Sequence, residues 1–214
     1  MSNCLLGLRK GPNLYKREKL TMGDYIDFIV NWQNFYKEVF NIEVNLSGIR
    51  IPKKKKGLNR LLVLIPGMTP QRLLNKCKEL FRVWVWTNDD LDKIVTSDRT
   101  AQNGAYAVWV RDRVEADNEL KNRSAENLKQ KKISGITLEE RFVYELKYFK
   151  ETGKHLDIDN WTLCSDSRCC GGGVPGVGWD GIYREFNVGR YVPGVANGGL
   201  RYREVSCEEE QVTL

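Results

Sequence analysis

Three side chains of metal-binding type alternate with apolar residues in the last third of the chain. His155, Asp157 and Asp159 are separated by Leu156 and Ile158. Alternate residues of a β-strand point to one face, so the histidine and both carboxylates would lie together. Imidazole and carboxylate groups bind divalent metals, and a bound metal could activate water in a hydrolase-like enzyme. An edge strand with its polar side in water has the same alternation, and we favour that interpretation.

A dense group of charges follows residues 105–110 (AYAVWV), which have the length and composition of a buried strand. The end of a buried strand is a common place for an active site, and Asp112 would be the cluster's contribution to a hydrolase. Because the cluster contains no His, Cys or Ser nucleophile, we favour the exposed start of a helix. Its members are Arg111, Asp112, Arg113, Glu115, Asp117 and Glu119.

Four cysteines form the second candidate set for a metal: Cys164, Cys169, Cys170 and Cys207. Structural zinc sites usually present tighter C-x2-4-C pairs. Here the spacing is C-x4-C-C, with the last cysteine far away, and the two adjacent thiols would point apart on an extended chain. We therefore predict no metal site and no cofactor.

Residues 171–181 contain six glycines and match G-x-G-x-x-G twice. A dinucleotide-binding loop needs a strand before the glycines and a helix after them. Pro175 interrupts the first match, and the second leads into a strand-like pattern. Val-Pro-Gly-Val occurs at residues 174–177 and again at 192–195. Since Pro-Gly suits a type II turn, we interpret both copies as turns of a small antiparallel sheet.

A run of four lysines follows Pro52 and consists of Lys53, Lys54, Lys55 and Lys56. Like charges repel, so we expect an exposed turn between two strands. With Arg60, these lysines could contact phosphates, because cations placed on phosphates release counterions. Residues 1–60 carry 12 Lys and Arg against 5 Asp and Glu, whereas residues 151–214 carry 6 against 10. Such asymmetry fits a nucleic-acid or other polyanionic partner, or a merely solvated basic face.

Residues 137–153 (TLEERFVYELKYFKETG) carry the clearest local signal, which is that of an α-helix. Thr137 and Glu140 can form a capping box, and Gly153 can end the helix. An apolar stripe at helical period must pack against neighbouring strands. The stripe consists of Leu138, Phe142, Leu146 and Phe149.

Similar patterns predict helices near residues 21–40, 69–80 and 124–132, and strands at 42–46, 61–65, 81–86 and 105–110. We predict an α+β protein whose helices pack on antiparallel strands, with a Gly-rich all-β segment at 160–207. The expected organisation is a basic lead-in (1–20), a single domain (21–207) and a disordered acidic tail (208–214). Residues 97–104 are a candidate boundary within the domain.

The chain of 214 residues is 41% hydrophobic and 29% charged, which is ordinary for a soluble globular protein. Its longest apolar run, residues 61–65, is far short of the roughly 20 residues that span a bilayer. The first ten residues lack the apolar core of a signal peptide. Six cysteines do not make a disulfide-dense scaffold. We therefore expect a reduced, cytoplasmic protein without a membrane partner.

Three stretches resemble a family of uncharacterised proteins predicted from uncultured bacteria with reduced genomes. They are residues 58–67 (LNRLLVLIPG), 106–120 (YAVWVRDRVEADNEL) and 135–168, which begins GITLEERFVYELKYF. The resemblance implies a bacterial cytoplasmic origin and a self-contained folding unit. It implies no activity, cofactor or catalytic residue.

The sequence alone thus favours a non-enzymatic binding or interaction module, because no catalytic constellation is recognisable. Its partner would be nucleic acid or another protein. The alternative is a metal-dependent, hydrolase-like enzyme that uses His155, Asp157 and Asp159. A structural protein that works by oligomerising is the third interpretation.

Overall fold

The computed structural model describes residues 20–207 and the backbone of residues 211–213. Most of the predicted basic lead-in and acidic tail lies outside these described residues, as does Cys4. The prediction of a disordered tail is wrong for residues 211–213, which form a strand paired with residues 50–52; the rest of the tail lies outside the described residues.

Helices and strands alternate irregularly along the described chain. The helices are α1 (Met22–Phe40), α2 (Pro70–Leu80), α3 (Leu91–Ile94), α4 (Ala125–Gln130) and α5 (Leu138–Thr152). The strands are β1 (Arg50–Pro52), β2 (Arg60–Leu64), β3 (Val83–Val85), β4 (Val95–Ser97), β5 (Tyr106–Val110), β6 (Trp161–Leu163), β7 (Ser167–Cys169), β8 (Val174–Asp180), β9 (Glu185–Tyr191), β10 (Leu200–Arg201) and β11 (Gln211–Thr213). Helices together with antiparallel sheets confirm the α+β class.

Helix boundaries follow the capping residues in the sequence. The Thr137 hydroxyl accepts from the Glu140 amide, and the Glu140 carboxylate accepts from the Thr137 amide, so the predicted capping box of α5 is confirmed. Gly153 ends α5 with φ of 68°, a left-handed conformation that suits glycine. The hydroxyls of Thr69 and Ser124 likewise cap α2 and α4, which confirms those helix starts.

Among the described residues, backbone pairing forms one larger sheet and three two-stranded ones. The larger sheet has the order β10-β6-β8-β9-β3, and the small sheets are β1-β11, β2-β5 and β4-β7. The β8–β9 hairpin is antiparallel over seven residue pairs. Two pairs, β3 with β9 and β10 with β6, are parallel, so the larger sheet is mixed rather than purely antiparallel.

The predictions for residues 42–46 and for the first Val-Pro-Gly-Val copy are wrong. Residues 42–46 form no strand, because α1 satisfies their backbone: the Ile42 amide donates to the Tyr36 carbonyl, and the Gln33 amide group donates to the Val44 carbonyl. The first Val-Pro-Gly-Val copy lies inside β8 and is not a turn. The second copy is a turn, since the Val195 amide donates to the Val192 carbonyl.

Helix α5 occupies the centre of the molecule and is buried on its polar side as well as along its apolar stripe. Leu138, Phe142 and Leu146 are fully buried, as expected, but Arg141 and Glu145 are fully buried too. One hydrophobic cluster contains residues on both sides of the candidate boundary at 97–104, and Ala101 within it. Over the described residues, none of the helices has the length and apolar character needed to cross a membrane.

Candidate polyanion-binding surface

The four consecutive lysines lie in a turn between β1 and β2, as predicted; residues 53–56 are called the lysine turn below. The Leu58 amide donates to the Lys55 carbonyl, and Gly57 takes φ of 83°. Lys53, Lys55 and Lys56 are exposed. The Lys54 ammonium lies 5.7 Å from the ring centroid of the buried Trp109. Such a contact anchors one lysine on the core while its neighbours extend into solvent.

Arg60 does not belong to this surface, although the sequence grouped it with the lysines. Its side chain is only 4% exposed, and Nη2 donates to the Glu151 carboxylate at 2.6 Å. Its guanidinium also lies over the Tyr144 ring. As the first residue of a fully buried strand, Arg60 faces the core and cannot reach a phosphate in solution.

A cleft of about 620 Å³ adjoins the lysine turn and is called the β1 cleft. Arg50 and Pro52 of β1 lie on its wall, and Lys53 follows directly. Arg50, Thr100 and Asn103 are exposed, so a cation and polar side chains face the opening. The remaining lining comes from residues within 48–52 and 98–107, and from Cys207.

Arg99 lines the β1 cleft and is held in place by two carboxylates. Its Nε and Nη2 donate to the Glu140 carboxylate, both at 2.9 Å, and Nη1 donates to Asp166 at 2.7 Å. Tyr106 Oη also donates to Glu140 at 3.1 Å. Burial lowers the pKa of Arg99, but the neighbouring carboxylates outweigh burial and raise the pKa above its usual value. Arg99 is therefore a permanently charged structural link between α5 and the β6–β7 connection.

The predicted edge strand at residues 155–159 is not formed, and this segment is a loop between α5 and β6. His155 packs flat on the Trp179 ring, with centroids 3.4 Å apart and planes inclined by 4°. Its Nδ1 hydrogen-bonds the fully buried Glu145 carboxylate at 2.8 Å. The histidine therefore joins the loop to α5 and the larger sheet.

Asp157 is buried at the centre of an ionic network instead of facing a metal. Arg141 Nε donates to Oδ2 at 2.9 Å, and Arg203 Nη2 donates to Oδ1 at 2.6 Å. The Thr162 hydroxyl also donates to Oδ2. A left-handed backbone at Asp157, with φ of 56°, breaks the alternation that would have placed its side chain with those of His155 and Asp159.

The charge cluster after β5 meets this loop, a convergence that the sequence did not reveal. The amides of Ile158 and Asp159 donate to the Glu115 carboxylate, and the Asp157 amide donates to the Val114 carbonyl. The predicted helix start is wrong, because residues 111–117 are irregular and lead only into a 3-10 turn at Asn118–Leu120. The hydrogen bond that holds the Asp112 backbone comes from the residue before β2 and not from the loop that contains His155. The Asp112 amide donates to the Asn59 side chain.

The two candidate metal sets do not assemble in the part of the chain that the structure describes. There, no three His, Cys, Asp or Glu side chains are placed to hold a metal ion. Cys164 and Cys169 are buried, Cys170 is exposed and Cys207 lines the β1 cleft. Burial raises the pKa of the Cys164 thiol, which keeps it protonated.

Glycines in the glycine-rich stretch leave room for neighbouring side chains, and a strand rather than a helix follows the stretch. Gly176 lies within β8, and Gly181 lies in the turn that leads into β9. A Cβ at Gly176 would lie 2.5 Å from the Tyr191 ring, so glycine is needed for that ring to cover the sheet. Residues 171–181 therefore lack the geometry required of a dinucleotide-binding loop.

Sequence reasoning missed Arg50, Asp98 and Arg99, which line the β1 cleft. Arg50 precedes the lysines by three residues, and this proximity was the one usable signal. Asp98 and Arg99 reach the cleft only through tertiary packing.

Comparisons with protein-family models, with curated proteins and with solved structures gave no match. The resemblance to a bacterial family and the cytoplasmic location therefore stay predictions. The functional proposal below rests on the geometry of the described residues.

Proposed function

We propose that this protein is a non-enzymatic, cytoplasmic binding module that holds a nucleic-acid strand on the lysine turn and the β1 cleft. The observation that carries the proposal is the direct continuity of the two features through β1. Arg50 lines the cleft, and Lys53 begins the turn two residues after Ile51. A nucleic-acid strand that reaches from the mouth of the β1 cleft to the lysine turn would meet cations at both places.

The electrostatics of the surface support this proposal. Three exposed lysines and Arg50 present positive charge, and the structure gives no carboxylate hydrogen-bonded to Lys55, Lys56 or Arg50 among the described residues. Cations that face solvent in the free protein gain most when they displace counterions from phosphates. The cleft volume falls within the roughly 300–1,000 Å³ of typical ligand sites.

In our proposal, the glycine-rich segment at residues 160–207 is a mainly β unit that supports the binding surface. Strands β6 to β10 lie in it, together with a 3-10 turn at Cys170–Gly172. Arg203 of this segment reaches Asp157, and Asp166 reaches Arg99, so the segment fixes the charged centre of the molecule.

The metal-dependent alternative gains no support from the geometry. His155 and Asp157 are engaged by Glu145, Arg141 and Arg203. Metal analysis of the purified protein tests the alternative: a stoichiometric transition metal that stabilises the fold would revive it.

The proposal is tested by fluorescence anisotropy with labelled single-stranded and duplex RNA and DNA. The test variant replaces all four residues of the lysine turn with glutamine. A matched variant removes the same charge elsewhere, at four exposed lysines outside both the turn and the cleft: Lys78, Lys93, Lys121 and Lys154. We expect the turn variant to lose at least about tenfold in affinity and the matched variant to lose much less. Equal losses, or no binding by the parent protein, would refute the proposal.

A further inference from the structure

A second cleft, of about 290 Å³, opens beside α4 and is called the α4 cleft. Its walls come from α4, from the turn that follows it at residues 131–134, and from the segment around β7. Lys129, Lys132 and Arg168 bring three cations to it, and Ser134 and Ser165 bring hydroxyl groups. No motif in the sequence singles out these residues as a site.

The cations outnumber the carboxylates available to them. Asp166 lines the cleft, but Arg99 Nη1 donates to its Oδ2, and the Gly135 amide donates to its Oδ1. The charge of Asp166 is thus compensated only in part, because Arg99 also pairs with Glu140. Asp98, at the rim, is the remaining acidic residue of the lining. Three cations against the two carboxylates of Asp98 and Asp166 leave the α4 cleft net positive.

Arg168 is fixed in place but keeps unused donors. Its Nη1 donates to the carbonyls of Ser165 and Ser167, at 2.5 and 2.8 Å. Its Nε and Nη2 donate to no group among the described residues. A guanidinium oriented by carbonyls, with two donors on one edge still open, is suited to bidentate recognition of a phosphate.

A second unsatisfied donor lies behind this arginine. Tyr202 is fully buried against Leu128 and Ala125, and its hydroxyl has no hydrogen-bond partner within the described residues. Burial raises the pKa of Tyr202, and Arg168 is near enough to lower it in part. Buried hydroxyl groups normally have a partner. Tyr202 does not itself line the α4 cleft, so it is an unsatisfied polar group beside the cleft rather than a contact to the ligand.

One wall of the α4 cleft is apolar. Ala125, Leu128 and Ile133 line it. A wall of this kind takes a flat or aliphatic group, whereas the cations and hydroxyls take an anion. The ligand that fits both halves carries a phosphate on an apolar or aromatic body.

We propose that the α4 cleft binds a small phosphomonoester, with a nucleoside monophosphate as the representative ligand. Arg168 and Lys132 contact the phosphate, Ser134 donates to it, and the base or other apolar group lies on Leu128. This site contains no residue of the lysine turn, so binding at the α4 cleft does not depend on it. The two clefts share only Asp98 in their linings.

Isothermal titration at low ionic strength with adenosine monophosphate, inorganic phosphate and adenosine tests the proposal. Adenosine monophosphate should bind most tightly, phosphate more weakly and adenosine least. Replacing Arg168 or Lys132 with glutamine should weaken adenosine monophosphate binding by roughly tenfold, the effect of losing one charge-assisted hydrogen bond. The exposed Lys132→Gln variant keeps the test informative if Arg168→Gln does not fold.

Lys131→Gln is the matched control, because Lys131 is the exposed neighbour of Lys132 and does not line the cleft. Its affinity should stay within about twofold of the parent protein. The proposal is overturned by equal losses in the Lys131 and Lys132 variants, by adenosine binding as well as its monophosphate, or by no binding of either phosphate compound at millimolar concentration. Loss of binding in the lysine-turn variant would likewise contradict an independent site.

Discussion

Arg141 and Asp157 form an ion pair in the interior, where both side chains are fully buried and Arg141 Nε donates to Asp157 Oδ2 at 2.9 Å. Arg203 approaches the other carboxylate oxygen. Two arginines on one aspartate connect α5, the loop after it and the segment after β10. The residue that the sequence offered as a metal ligand therefore holds three parts of the fold together.

Asp157→Asn should reduce the free energy of unfolding by about 3–5 kcal/mol, because Arg203 loses its buried counter-charge and Arg141 keeps only Glu145. Urea denaturation measures the loss. Asp159→Asn is the control, since Asp159 is exposed and should change stability by no more than about 0.5 kcal/mol. Equal effects of the two substitutions would show that the buried network is not what stabilises the loop.

Lys147 gives the protein a pH-dependent stability of unusual sign. Burial lowers its pKa from 10.5 to about 8, and its ammonium lies 5.1 Å from the ring centroids of Trp32 and Phe35. Between pH 8 and 10.5 the unfolded chain holds this proton and the folded chain does not, so stability rises with pH over that window. A pKa difference of one between the folded and unfolded chains corresponds to about 1.4 kcal/mol, so the gain across the window is roughly 3 kcal/mol.

The pH dependence is measured by urea denaturation of the parent protein and of Lys147→Met between about pH 7 and 10.5. Burial raises the pKa of the Cys77 and Cys164 thiols, which lowers stability over part of the same range in both proteins. The difference between the two profiles therefore isolates Lys147. The difference in unfolding free energy between the two proteins should change by roughly 3 kcal/mol between pH 8 and 10.5. A difference that does not change with pH would contradict a buried lysine with a lowered pKa.

Gly176→Ala should destabilise the larger sheet by about 1–3 kcal/mol, because the new methyl group would overlap the Tyr191 ring at 2.5 Å and Leu163 at 2.9 Å. Gly181→Ala has open space around its Cβ and should be nearly neutral. Thermal unfolding of both variants is the measurement. A neutral Gly176→Ala would mean that the glycine-rich stretch has a purpose other than packing.

Features that depend on neighbouring residues were predictable from the sequence. Thr137, Glu140 and Gly153 set the ends of α5 through contacts three or four residues away, and the lysine turn followed from like-charge repulsion. Features that depend on distant residues were not. The partners of Asp157 at positions 141 and 203 lie 16 and 46 residues away.

The burial of the polar side of α5 is the largest departure from expectation. An amphipathic pattern predicts that one face of the helix is exposed to solvent. Arg141 can nevertheless be buried, because Glu145 and Asp157 from the following loop neutralise it. Only one half of the candidate surface, the lysine turn, could be predicted from the sequence. The lysine run is local, whereas the β1 cleft is assembled from stretches of chain that are far apart in the sequence.

Asp98 lies on the rim of both clefts and opposes an anion in either one. Asp98→Asn should strengthen the binding of labelled RNA and of adenosine monophosphate by roughly two- to fivefold, as expected for removing one exposed like charge. Anisotropy and isothermal titration measure the two effects. Weaker binding in either assay would place Asp98 among the groups that hold the ligand.

The salt dependence of nucleic-acid binding shows whether phosphates lie on the lysine turn. Affinity for a labelled duplex is measured from about 50 to 200 mM salt for the parent protein, the lysine-turn variant and the matched variant. Each phosphate contact contributes a slope of about −0.9 in the logarithm of the binding constant against the logarithm of salt concentration. We expect a slope smaller by about 2 for the lysine-turn variant, because the exposed Lys55 and Lys56 are gone, and little change for the matched variant. Identical slopes for all three proteins would mean that no phosphate is bound at the lysine turn.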